Sequence, residues 1–142
     1  LLGFAHTLPQ TNLYTHGTLV TAMHGHLAFW GAYAMIVLAI ISYSLPNMTG
    51  RKLYESSRGR AAFWLSNIGM IGMTVAFGVA GVAQVYLERK FGMDFMTVQK
   101  EISIHFVVLI ICATMFATGI VLYIVDFYKH GTPTDEALEI KE

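Results

Sequence analysis

Two histidines separated by a single glycine, His24 and His26, interrupt the otherwise apolar stretch MHGHLAFWGAYAMI. No Asp, Glu, Lys or Arg precedes Arg51. An ionisable side chain inside a membrane span is costly and marks a site by default. An α-helix turns about 100° per residue, so positions two apart point about 200° away from each other, at depths that differ by only about 3 Å. Holding one metal ion from a single face calls for i and i+4 instead. The pair is suited to holding one partner on each side of the helix. Haem iron takes a neutral imidazole as axial ligand, and the large apolar macrocycle suits a lipid-buried bundle. Gly25 adds no side chain between the two rings. Such a helix is a wall between two haems, thin enough for fast electron transfer.

The other candidates carry weaker signals. A lone histidine in a span is as often a hydrogen-bonded core residue as a ligand, whereas two in H-x-H with no other ionisable group nearby favour ligation. Met23 could supply a thioether, but the chain has eight methionines and packing is the better reading for it. His105 stands alone near the start of a later apolar run, where packing or a hydrogen bond suffices. His130 falls beyond the last run and is expected in solvent. His6 stays open. Cys112 is the one cysteine, so there is no disulfide framework, and it reads as a small apolar residue.

The elements that must position the pair follow from where charge is missing. The 142 residues are 55% hydrophobic and 13% charged, with zero net charge. No basic block points to nucleic acid. Uncharged runs cover Gly17 to Gly50, Ala61 to Leu87 and Ile102 to Val125, each long enough for the roughly 20 helical residues that cross a bilayer. The expected fold is therefore all-α, a polytopic transmembrane helix bundle with spans at 17–45, 61–87 and 102–128. Residues 1–16 read as the end of a preceding helix and a connecting segment. Pro46 lacks an N–H and disfavours helix before it, so the first span should stop there. Gly72, Ala76 and Ala80, four apart in the second span, form a small-residue stripe for close helix packing. The loop at 46–60 holds Arg51, Lys52, Arg58 and Arg60 against Glu55, and the loop at 88–101 holds three Lys/Arg. That bias places 46–60 in the cytoplasm and 88–101 in the periplasm. The tail at 129–142 is polar. The opening LLGFAH reads like the end of another apolar helix, which suggests a C-terminal piece of a larger subunit.

HGTLVTAMHGHLAFWGAYAMI resembles the tenth helix of the large subunit in the haem–copper oxidase superfamily. More closely, nearly the whole chain looks like the last three of twelve helices in the catalytic subunit of bacterial cytochrome c-dependent nitric oxide reductases. In that superfamily one helix supplies an H-x-H pair to two haems. The resemblance implies that His24 binds the high-spin haem b3 at the catalytic centre and that His26 is one of two axial ligands of low-spin haem b. It places His16, more loosely, near the haem propionates. It also implies reduction of two NO to N2O and water, a non-haem iron held by residues of earlier helices, and electrons arriving from a membrane-anchored cytochrome c subunit. The setting it implies is the bacterial inner membrane, with the rest of the large subunit around these helices.

Three rivals stay open on the sequence. An oxygen-reducing oxidase of the same superfamily differs at the second metal, whose ligands lie outside this stretch. A b-type cytochrome relay would use both histidines in six-coordinate haems. A transporter segment would line a water-filled path with them.

Overall fold

The computed structural model describes residues 1–49 and 57–130. The basic centre of the first loop at 50–56 and the polar tail from 131 lie outside the described residues, as does the side chain of His130. Two short helices, α1 (Leu2–Thr7) and α2 (Pro9–Thr15), precede α3 (Leu19–Ala28). A π-helical segment (Phe29–Ala34) joins α3 to α4 (Met35–Thr49) without a break. Then come α5 (Ser57–Val85), a π turn at Tyr86–Lys90, α6 (Phe95–Glu101) and α7 (Ser103–His130). Among the described residues there is no strand. Three stretches are long and apolar enough to cross a membrane, Leu19–Ser44, Ser57–Lys90 and Ser103–Tyr128. The chain is an all-α, multi-pass bundle, as its uncharged runs predict. In lipid a helix satisfies every interior backbone group locally, and these runs contain little that would compete with it.

Residues 1–16, read from the sequence as the end of a helix and a connecting segment, hold the two short helices α1 and α2. Leu8 is extended (ψ 127°) before Pro9, which opens α2 at a position where its missing N–H costs nothing. Gly17, at φ +72°, makes the turn into α3, a conformation only glycine adopts cheaply. The stop expected at Pro46 is displaced to Thr49. The apolar span itself ends at Ser44, and the helix runs on for one polar turn, in which Pro46 removes a single donor. The Asn47 amide supports this last turn by donating to the Tyr43 carbonyl at 2.9 Å.

Helix α5 lies between the other two spans and runs antiparallel to both. Gly69 faces the backbone of Cys112 and Phe116, and Gly119 faces that of Ala62 and Ser66. On the α3 side, Gly78 faces the Met23 sulfur and Gly81 faces the Val20 backbone. A Cβ at Gly69 would stand 2.6 Å from the Phe116 nitrogen, so the contact requires glycine. Such closeness is how helices associate in lipid, where dispersion replaces the hydrophobic drive. The expected stripe takes part, with Ala76 and Ala80 buried and Gly72 against the Cys112 Sγ. Trp30, Met70, Met73, Ala76 and Leu109 form the core between the spans. Ile36, Val37 and Ile40 on α4, with Val107, Ile110 and Ile111 on α7, point outward.

Candidate haem-ligand site

The helix that carries the two histidines is fixed at its start from two directions. The Thr18 and Thr21 hydroxyls both donate to the Thr15 carbonyl, at 2.7 and 2.8 Å. The Leu19 N–H, one of the unpaired donors of a helix N-terminus, reaches the Gln84 Oε1 at 3.0 Å. Gln84 is buried on α5 and donates its own amide to Glu88 at 3.0 Å. Gln84 thereby sets the height of α3, and with it the depth of His24 and His26. Beyond them the π segment begins, and Trp30 anchors it. Its indole donates to the Asn67 Oδ1 at 3.3 Å and meets the Phe116 ring edge-on at 4.8 Å. Single π turns inside α-helices are frequent at functional sites. The sequence pattern predicts regular helix here, and Gly31 alone does not signal the extra residue.

His24 and His26 both fall within regular α3, so they project to opposite sides and meet different surroundings. His26 is exposed at the surface of the fold, its ring against Phe77 at 4.9 Å. Its Nδ1 lies 2.8 Å from the Ala22 carbonyl. A carbonyl only accepts, so Nδ1 carries the proton and Nε2 is left with a lone pair. That is the arrangement of a ligating imidazole, whose second nitrogen holds the tautomer and ring orientation through a hydrogen bond.

His24 is half-buried and stacks on His6, with ring centroids 5.3 Å apart and planes 22° from parallel. Among the described residues it has no hydrogen-bond partner. His6 is 18 residues away in sequence, and no helical spacing links the two, so nothing in the sequence signals their meeting. The His6 Nδ1 lies 3.2 Å from the Thr15 hydroxyl, which donates its proton to the Thr11 carbonyl. His6 is therefore the donor in that pair, and its Nε2 is buried with no partner among the described residues.

His16 ends α2 and is exposed. Nothing in the fold brings it against His24 or His26. Met23 packs on Gly78, and the His105 Nδ1 lies 3.2 Å from the Ile102 carbonyl. Among the described residues no three His, Cys, Asp or Glu side chains gather closely enough to hold a metal ion.

Residues 1–115 match the family described as "Cytochrome C and Quinol oxidase polypeptide I". The chain belongs to the cytochrome c and quinol oxidase polypeptide I family. It is also 42% identical over 139 residues to a nitric oxide reductase subunit from Stutzerimonas stutzeri. That alignment covers 91% of this chain and 29% of the relative, so the chain spans well under half the relative's length. For this oxidase-family chain the donor set at α3 fits the haem that the family implies. His26 offers an oriented, accessible Nε2, and His24 offers a ring without a hydrogen bond among the described residues. At His24 the fit has a condition. A Cβ on Gly3 would stand 3.0 Å from the His24 Nε2, so a macrocycle held by His24 would need the space that α1 occupies.

Proposed function

We propose that the chain forms the last three of the twelve membrane helices of a nitric oxide reductase large subunit in the bacterial inner membrane. The reaction joins two NO to give N2O and water, consuming two protons and two electrons. His24 is the axial ligand of the catalytic haem b3 and His26 one of two axial ligands of the low-spin haem b. His16 is close enough in sequence to contribute at the propionate edge. When bound, the haems supply redox-active iron that carries electrons and accepts a diatomic ligand at an open position. A non-haem iron, held by other helices of the large subunit, completes the centre. A membrane-anchored cytochrome c subunit delivers the electrons.

The observation that carries this reading is one pair of imidazoles at one depth, directed to opposite sides of α3, in a chain 42% identical to a reductase subunit. The protein's own contribution is orientation. Ala22 holds the tautomer of His26, Gln84 sets the height of the helix, and Trp30 locks its continuation. Metal analysis and turnover of the whole complex test the proposal. Haem iron together with non-haem iron, with N2O as the product, is the expected result. Copper at the second site with preferred reduction of oxygen to water would replace the reading with the oxidase one.

A further inference from the structure

Away from the two histidines, a cavity of about 550 Å³ opens between α4, the first turns of α5 and the C-terminal half of α7. Neither His24 nor His26 lines it. Most of the wall is apolar, with Leu38, Ala39, Phe63 and Ile120 among its residues. Charge enters at one end only, from Arg60 and Asp126. Asp126 is almost fully buried and faces the Arg58 guanidinium at 3.5 Å, so its charge is matched. Arg60 is exposed and, among the described residues, has no carboxylate partner. Among those residues, the charged end of the cavity therefore presents one uncompensated cation.

Its depth is marked by aromatic residues. Tyr43 closes the first span, Trp64 opens the second and Tyr128 closes the third, and all three are exposed. The spans alternate in direction, so these rings gather at one end of the bundle. Trp and Tyr concentrate at the headgroup level of a bilayer. The cavity thus runs from the headgroup level, where Arg60 stands, into the hydrocarbon beside Leu38 and Ile120. A helix is about 10–12 Å across and fills about this volume in a single turn, so no spanning helix fits inside. A single acyl chain is narrow enough to enter lengthwise.

We propose that this cavity holds one acyl chain of an anionic phospholipid, with the Arg60 guanidinium against its phosphate. Arg suits the role because its planar fork engages phosphate oxygens in pairs. The basic composition of the 46–60 loop raises the local concentration of anionic lipid at the same end. The contact ties the start of α5 and the ends of α4 and α7 to the membrane surface.

The test uses the whole purified complex. It is equilibrated with vesicles of equal phosphatidylglycerol and phosphatidylcholine and then moved into detergent, and retained lipid is counted by mass spectrometry. The parent should retain phosphatidylglycerol in excess. Arg60→Gln should lower retained phosphatidylglycerol roughly tenfold, the size of one charge-assisted contact, and leave phosphatidylcholine unchanged. Ala39→Phe, which fills the cavity without touching charge, should lower both. Excess inorganic phosphate should displace neither. The proposal is overturned if the parent shows no excess, as expected were another helix of the large subunit to seal the cavity. It is also overturned if Arg60→Gln leaves the lipid ratio unchanged, if Ala39→Phe retains the parent's amount, or if free phosphate empties the site.

Discussion

At the scale of single residues, the two imidazoles of α3 are chemically alike and differ only in what lies beside them. His26→Ala should remove low-spin haem b and stop electron entry. His24→Ala should disturb the high-spin haem and leave the low-spin spectrum in place. Losing even an outer hydrogen-bond partner of a ligating histidine costs about 10–100-fold, so each loss of activity should exceed about a hundredfold. Absorption spectra of the two variants decide the point, and depletion of the same haem by both would remove the two-sided arrangement. Another residue-scale effect lies outside the spans. Asp94 caps α6 through Thr97, whose hydroxyl and then backbone N–H donate to the carboxylate and hold its pKa below the usual 3.8. A depressed folded pKa means the cap stabilises α6 above the unfolded value and is lost as pH falls through the folded one. Hydrogen exchange of α6 should therefore be slower in the parent than in Asp94→Ala near neutrality. The difference should vanish under strongly acidic conditions.

Between elements, the contact that organises the bundle is the approach of α5 to α7. Gly119 has no room for a side chain, since a Cβ would come within 2.5 Å of the Ser66 backbone nitrogen. Backbone does not yield as a flexible side chain does. Gly119→Leu should destabilise the protein by at least the roughly 1–3 kcal/mol of ordinary overpacking, read as a lower Tm in detergent. An unchanged Tm would mean that the two helices do not meet at this register. The π segment belongs to the same scale. Trp30 within it meets Asn67 on α5 and Phe116 on α7, so one indole ties the first span to both of the others.

For the molecule as a whole, the spans alternate in direction, and charge decides which end faces the cytoplasm. The excess of Lys/Arg in 46–60 over 88–101 predicts that 46–60 lies inside. Cysteines at Ser56 and at the exposed Met96, treated with an impermeant thiol reagent on intact cells, check this. Met96 serves better than the neighbouring Gly92, whose φ of +66° a cysteine would strain. Met96→Cys should label from outside and Ser56→Cys only after lysis. The opposite pattern would invert the topology.

The sequence by itself determined the spans, because a bilayer demands long uncharged runs and these are visible one residue at a time. It also determined the opposed directions of His24 and His26, since helix geometry is local. The small-residue face of α5 was legible in Gly72, Ala76 and Ala80 for the same reason. The rule that ends a helix at Pro46 is local too, and the helix outruns it by one turn, in which the Asn47 amide donates to the Tyr43 carbonyl. Tertiary structure alone decided the rest. His6 stacks on His24, Gln84 caps α3 from 65 residues away, and Asp126 is buried against Arg58 to line a cavity. Each of these joins residues with no periodic relation in the chain, and such meetings are fixed only when whole helices choose which faces to bury.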